Sequence, residues 1–348
     1  MKKTVRKQQQ SCDITYNKAL NRLMTQDYFA YLNDTPCVLF ISTQSFYELY
    51  YDKFASLIKE SDKFYWYLCP DNESINFVKT YNKILVYIEE MKLPVNTSIV
   101  SAGNDHLYHL CGALKQTSPY ISDFTYLPTS ITGFIASLQG KAYLLNQSLT
   151  ISVEQYVLPD RLVYDTMLNE LETKNTWSDD LFNVAKLGVL TNKDLLKLLS
   201  REVIETSNRS WAPFLELIIE SLEQETTPPV FMLSNISKSF YQLHEAHYLL
   251  PSEKEQISFL LFLLWDLKKA EITFDFEGFM KWLYRNGTFN FRLPIQMTTY
   301  DIAKVFVDEL HRLDKMPYLT KIGELSVSKA PSIEEMYHVV ESYRKIKL

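Results

Sequence analysis

The run CVLFIST at Cys37–Thr43, followed by FYELYYDKFASLIK at Phe46–Lys59 and FYWYLC at Phe64–Cys69, decides the reading of the fold. The first and third segments are short, apolar and rich in β-branched and aromatic residues, which predicts strands. The segment between them carries Leu49, Phe54, Leu57 and Ile58 on one side of a predicted helix. Working outward, the alternation continues. Ile75–Met91 places Ile75, Val78, Ile84, Ile88 and Met91 near a 3.6-residue period. Thr97–Ala102 predicts a strand running into Gly103, His106–Lys115 a helix, and Phe124–Leu127 a strand running into Pro128. Strands alternating with helices of about 10–15 residues predict βαβ units and a parallel sheet. Ala142–Asn146 and Gln155–Asp165 then read as two extended segments, with Pro159 inside the second.

The second half changes character. From about Leu168 nearly every segment has helical periodicity: Phe182–Leu199, Phe214–Leu222, Phe240–Leu250, Gln256–Lys269, Phe276–Arg285, Thr299–Leu313 and Ser332–Lys345. Proline-bearing loops separate several of them, at Gln224–Pro229, Pro251–Ser252 and Asn286–Pro294. The predicted architecture is an N-terminal extension over residues 1–35, an α/β domain with a parallel sheet over 36–166, and an all-α domain over 167–348.

Composition narrows the function. The 348 residues include 36 Lys+Arg against 42 Asp+Glu, a formal charge of −6, which argues against a non-specific nucleic-acid footprint. A hydrophobic share of 46% excludes global disorder. The aromatic runs Phe46–Tyr51 and Phe64–Tyr67 lack an interleaved basic groove and read as packed core rather than base-stacking platforms. The basic cluster Lys2, Lys3, Arg6 and Lys7 is not followed by an apolar segment and reads as a frayed, solvated terminus. Ile257–Trp265, the longest near-continuous apolar run, is shorter than the roughly 20 residues a bilayer needs and reads as a buried core helix. Cys12, Cys37, Cys69 and Cys111 are far apart, without a CxxC pair, which fits a reducing, cytoplasmic address. Only 8 glycines are present, where average usage would give about 24. Phosphate-cradling loops depend on glycine. P-loop, Gly-x-Ser-x-Gly and His-Glu-x-x-His motifs are absent from the sequence.

The order of short motifs resembles the 3-dehydroquinate synthase family of sugar phosphate cyclases. Tyr126–Lys141 (YLPTSITGFIASLQGK) is similar to that family's Pro-Thr-Thr run and its later Gly-Gly-Lys, through Pro128, Thr129, Ser130, Gly140 and Lys141. Leu158-Pro159 with Tyr164-Asp165 resembles a Pro-x-x-Val-x-x-Asp strand, and Phe182–Lys186 resembles an Ala-Glu-Val-Ile-Lys helix. Asn235–Glu245 (NISKSFYQLHE) resembles Asn-Phe-Gly-His-Thr-x-Gly-His-Ala-x-Glu, and Asp314-Lys315 a late Asp-Lys-Lys. The resemblance spans about residues 36–345. It implies a Rossmann-like, nucleotide-binding-like domain over 36–166, a helical domain after it, a homodimer, and a carbon–oxygen lyase that closes a carbocycle using bound NAD and a divalent metal.

Carried over residue by residue, the resemblance assigns Lys141, Lys186, Asn235 and Lys315 to remnant substrate contacts, and Glu73, Gly103, Thr129 and Ser130 to remnant cofactor contacts. The departures weigh more. The family's three metal ligands fall on Asn183, Lys238 and Glu253, so one carboxylate remains beside a neutral amide and an ammonium. A further active-site His becomes Gln242. The family's glycine loop falls on Gly103, Asn104, Asp105 and His109, and Asp105 sets a carboxylate where a pyrophosphate would lie. The lysine of the Pro-x-x-Glu-x-x-Lys element becomes Asn76, an intervening Asp becomes Ala136, a Gly-Lys-Asn element falls on Leu149, Thr150 and Ile151, and an Arg becomes Phe231.

Two histidine pairs have i, i+3 spacing: His106 with His109, read as helix packing, and His244 with His247, read as surface residues rather than a replacement metal site. Lys186 reads either as an anion-binding lysine or as a surface salt bridge. The expectation is a homologue of the family that has lost metal-dependent cyclisation and serves binding or scaffolding with a protein partner, without nucleic acid or membrane. The alternative is a working 3-dehydroquinate synthase or related cyclase. A dehydrogenase of the iron-dependent alcohol dehydrogenase type shares the two-domain plan but needs the same ligands and glycine loop.

Overall fold

The first long element after the predicted terminus is already a strand: Cys37–Thr43 (β3) is buried along almost its whole length, as expected of a parallel strand covered on both faces. The computed structural model describes residues 2–17, 29–55, 63–71, 76–147, 151–165, 168, 174–205, 210–223, 240, 243, 246, 248–311 and 316–347. Around β3 lies a seven-stranded sheet in the order β1-β2-β9-β6-β5-β3-β4. Its members are β1 (Lys2–Lys7), β2 (Gln10–Asn17), β4 (Phe64–Cys69), β5 (Thr97–Gly103), β6 (Ile121–Pro128) and β9 (Arg161–Asp165). All pairings are parallel except the β1–β2 hairpin. The helices α1 (Gln44–Ala55), α2 (Val78–Glu90), α3 (Asp105–Thr117) and α4 (Ile131–Gln139) connect the strands. A second hairpin, β7 (Lys141–Leu145) with β8 (Ile151–Tyr156), packs on α3.

The aromatic run is core in large part. Phe40, Phe46 and Phe54 are buried with Phe29, Leu32 and Val100, and Phe40 stacks on Trp66 at 4.2 Å. The terminus corrects an expectation. Lys2–Lys7 is not frayed but is the sheet's outermost strand, with Val5 buried and Lys7 Nζ donating to the Leu138 carbonyl at 3.1 Å. Residues 2–17 therefore belong to the sheet unit. The chain forms two compact units, one of Met1–Thr173 with Ser210–Leu215, the other of Lys174–Arg209 with Glu216–Leu348. Pro159 lies between β8 and β9 rather than inside a strand, where its missing N–H costs no ladder bond.

The second unit holds α5 (Lys174–Thr191), α6 (Lys193–Glu205), α7 (Leu215–Glu223), α8 (Pro251–Lys269), α9 (Phe276–Asn286), α10 (Thr299–Leu310) and α11 (Ile333–Arg344). The predicted single helix at Phe182–Leu199 is two. Asn192 breaks it, its Oδ1 accepting from the amides of Asp194 at 3.0 Å and Leu195 at 3.2 Å as an N-cap. The apolar run Ile257–Trp265 is the buried middle of α8, as read. The unit is not purely helical: β10 (Met316–Lys321) and β11 (Glu324–Ser328) form a hairpin, held to α8 by the Leu319 amide donating to buried Asp266 at 3.0 Å.

Candidate functional site

The chain passes from β3 to β4 on one side and then crosses to β5 on the other, so the topological switch lies between β3 and β5. Open α/β sheets bind ligands outside the carboxyl ends of their strands at such a switch. Three helices start there: α1 after β3, α3 after β5 and α4 after β6. In each, one amide of the first turn is bound by a side chain of the same chain. The Ser45 amide donates to both carboxylate oxygens of Asp71, at 3.2 and 3.1 Å, and Ser45 Oγ donates at 2.5 Å. Asn104 caps α3 by accepting from the Leu107 amide at 3.4 Å, and Ser130 caps α4 by accepting from the Gly133 amide at 3.1 Å.

The structure brings Gly103, Thr129 and Ser130 together. Gly103 pairs with Pro128 across β5 and β6, and the Thr129 amide donates to the Gly103 carbonyl at 3.0 Å. Tyr126 Oη points at the carbonyls of Gly103 and Asn104, 2.9 and 2.7 Å away, and pins the turn from below. Gly103 has φ +157°, and a Cβ there would meet Leu107 Cδ1 at 2.3 Å. Its own helix therefore fills the space beside this glycine. Asp105, half-buried, opens α3.

His109 is 3% exposed, and its ring lies 3.9 Å from that of Tyr143. Burial pushes its pKa down to about 4, against a smaller opposing effect of Asp105, so the imidazole is neutral near pH 7. The Nδ1 atoms of His106 and His109 are buried without a partner among the described residues. Asn76 is fully buried and ties into β7, its carbonyl accepting from the Leu145 amide at 2.9 Å and its Nδ2 donating to the Tyr143 carbonyl at 3.3 Å. Lys141 sits at the start of β7, after Gly140 closes α4 in the left-handed conformation at φ +77°. Its ammonium pairs with Glu154 across the hairpin at 3.0 Å. Ala136 is buried in α4, and Ile151 opens β8.

In the second unit, Asn183 and Lys186 are one turn apart on α5, and Glu253 lies in the first turn of α8. Lys186 is not at the surface. It is 4% exposed, and its Nζ lies 2.5 Å from Glu255 Oε1. Two further links join the same helices: Gln256 Nε2 donates to Asp179 Oδ1 at 3.0 Å, and Phe182 meets Phe259 edge-on at 5.5 Å. Glu253 Oε2 accepts from the Leu250 amide at 2.8 Å, the reach-back half of a capping box. Lys254, 5% exposed, has its pKa lowered by burial. Among the described residues no group of three or more His, Cys, Asp or Glu is placed to hold a metal ion.

Glu73, Asn235, Lys238, Lys315, Gln242, His244, His247, Phe231, Leu149 and Thr150 lie outside the described residues. Three groups escaped the sequence reading: Asp71, Glu255 and Lys254. Only Asp71 left a local signal, the Pro-Asp pair that directly follows β4.

The fold is that of the dehydroquinate synthase-like sugar phosphate cyclases, as the resemblance implied. ValA, a 2-epi-5-epi-valiolone synthase from Streptomyces hygroscopicus subsp. jinggangensis solved with NAD+ and Zn2+ bound, superimposes with a TM-score of 0.75 at 16% identity, covering 95% of this chain and 96% of that one. A 2-deoxy-scyllo-inosose synthase solved with carbaglucose-6-phosphate, NAD+ and Co2+ gives a TM-score of 0.73 at 13% identity, covering 98% and 99%. The bifunctional 3-dehydroquinate synthase/phosphatase of Fusobacterium nucleatum subsp. nucleatum is 22% identical over 180 residues, 51% of this chain. The matched segment spans 27% of that relative's own length. No family model matches the chain. Among the described residues, no helix is long and apolar enough to cross a membrane.

Proposed function

We propose that this protein keeps the sugar phosphate cyclase fold without metal-dependent cyclisation, and that it works as a binding or scaffolding homologue. The observation that carries the reading is Glu253. It is the one carboxylate at the three positions that correspond to the family's metal ligands, and it holds the first turn of α8 through the Leu250 amide. Asn183 supplies only a neutral oxygen, a weak ligand. Lys186, one turn from Asn183, is an ammonium held by Glu255 and offers no ligand. This donor set does not fit zinc or cobalt.

The strand ends support the same reading for NAD. A pyrophosphate needs free helix amides and a close backbone approach. Here the caps of α1, α3 and α4 come from the chain itself, Leu107 fills the space beside Gly103, and Asp71 and Asp105 add negative charge. Lys141 and Lys186, paired with Glu154 and Glu255, are held by carboxylates that a phosphate would have to displace. Asn235, Lys315 and Glu73 keep their assignment as remnant contacts.

The second reading, a working cyclase, is favoured by the likeness to structures solved with NAD+ and Zn2+ or Co2+. It requires ligands from residues 235–247 instead of Glu253. Metal analysis of the purified chain together with a phosphate-release assay on sugar phosphates, with NAD and zinc added, separates the two. The proposal expects neither stoichiometric metal nor phosphate release. Zinc-dependent release would establish the second reading.

A further inference from the structure

The hairpin of β10 and β11 is held to the helices by bonds along its length. A two-stranded hairpin is marginally stable on its own, so those bonds decide whether it stays in place. At its tip the Gly323 amide donates to the Val189 carbonyl of α5 at 2.8 Å. In the middle of β10 the Leu319 amide donates to Asp266 Oδ2 of α8 at 3.0 Å. At the end of β11, Lys269 Nζ of α8 donates to Ser328 Oγ and, at 3.5 Å, to the Lys329 carbonyl, and it lies over the rings of Trp265 and Tyr318. No residue of β11 is buried. An open polar cleft of about 690 Å³ separates the turn from the α5–α6 junction and the end of α8, lined by Asn192, Lys193, Glu271, Thr320 and Glu324 among others. Solvent therefore reaches the hairpin from outside and from beneath its turn.

Asp266 is the costly member of this set. It is fully buried, and its Oδ1 has no hydrogen-bond partner among the described residues. Burial raises its pKa well above the ordinary carboxylate range, against smaller opposing effects of the Leu319 amide and Lys269. Lys269, three residues on, gives its ammonium to β11 instead. The other charged groups on the elements packed against α8 are engaged elsewhere or turned to water. Lys321 on β10 pairs with Glu324, and Lys186 on α5 with Glu255. On α11, Arg344 donates to the Met297 carbonyl, His338 is exposed and Glu341 is half-buried. Tyr318 of β10 lies against Lys269, and Tyr343 of α11 donates to the Phe291 carbonyl. We propose that detachment of the hairpin from α8 is a proton-releasing step: it opens Asp266 to water, the carboxylic O–H gives its proton to solvent, and rising pH favours the detached hairpin. The sign follows from linkage. The opened carboxyl ionises near pH 4 and the covered one at higher pH. Between those values one proton leaves on opening, which shifts the equilibrium toward the open form by about ten-fold per pH unit. Below pH 4 the group is neutral in both forms and the dependence vanishes. In the sequence β10 follows directly on Lys315, so the hairpin begins where the resemblance sets a substrate contact. The inference stands independently of whether the chain is a cyclase.

Amide hydrogen exchange on the full chain, corrected for the intrinsic effect of pH on exchange, reads the opening directly. Protection of the Leu319 amide is expected to fall at least about ten-fold between pH 5 and pH 7, while the amides of Phe259–Leu263 in the middle of α8 keep theirs. Asp266→Asn retains an oxygen for the Leu319 amide and cannot ionise, so its hairpin protection should be the same at both pH values. Lys269→Met removes the hold on β11 and should lower hairpin protection at every pH. Should Asp266→Asn fail to fold, the carbon-13 resonance of the Asp266 carboxyl in the wild-type chain decides, and it is expected to titrate well above pH 4. Hairpin protection that ignores pH, an equal fall in Asp266→Asn, an equal fall in the middle of α8, or a carboxyl that titrates near pH 4 would overturn the proposal.

Discussion

The Glu253 carboxylate and the Leu250 amide lie 2.8 Å apart, so this carboxylate holds the first turn of α8. The amides of a first helical turn have no intrahelical partner, and a glutamate at the third position reaches back to satisfy one of them. Glu253→Ala is therefore expected to lower stability by about 1 kcal/mol, with Glu253→Gln losing less. Urea melts of the three proteins check this. An effect of Glu253→Ala that appears only when zinc is present would point to a ligand instead.

Lys186 and Glu255 form a partly buried ion pair, with side-chain exposures of 4% and 32%. Removing one partner of such a pair leaves the other desolvated, at a cost of roughly 3–5 kcal/mol when both are deep and less where one reaches water. Lys186→Met and Glu255→Gln are each expected to destabilise by about 2 kcal/mol, and the double variant by clearly less than the sum. A double-mutant cycle in urea measures the coupling; strict additivity would mean that the pair holds nothing together.

His109 links the stability of α3 to pH. Burial holds its folded pKa near 4, below the ordinary 6.5, so the unfolded chain takes up the proton first as pH falls. The contribution is complete above pH 6.5 and is lost progressively toward pH 4, by up to about 3 kcal/mol. The stability difference between the wild type and His109→Phe, followed by denaturant melts from pH 7.5 to 4, should show that slope. A difference that stays flat would mean that the imidazole takes up its proton as readily in the fold as in the unfolded chain.

Gly103 tests what the surviving glycine is for. A Cβ at φ +157° would strike Leu107 Cδ1 at 2.3 Å, so Gly103→Ala should destabilise by about 1–3 kcal/mol. Leu107 is fully buried, so Leu107→Ala is itself destabilising, but the double variant should lose less than the sum of the two single losses, since the truncation clears the space. Denaturant melts of the single and double variants decide it; strict additivity would place the constraint elsewhere in the loop.

Much of this fold was legible. Buried parallel strands are continuous apolar runs, which is why Cys37–Thr43, Thr97–Ala102 and Phe124–Leu127 stood out. The strand at Lys2–Lys7 did not, because an edge strand is kept soluble by the charges that disguise it. The break at Asn192 was hidden inside an apolar pattern that is in phase on both of its sides. At the site, Gly103, Thr129 and Ser130 were found by motif and do lie together. The partnership of Lys186 with Glu255 was not legible, because 69 residues separate them and only the packing of α5 on α8 brings them together. The capping role of Glu253 was within reach, since a glutamate three residues after a helix entry is a local signal, but the family position drew the reading elsewhere.

The measurement that bears most directly on the central claim is calorimetric titration of NAD into metal-analysed protein, with and without added zinc. The account predicts less than stoichiometric zinc or cobalt in the purified chain and no zinc-dependent NAD binding. One metal ion per chain, with NAD bound only when zinc is present, would contradict it and return the protein to the working cyclases.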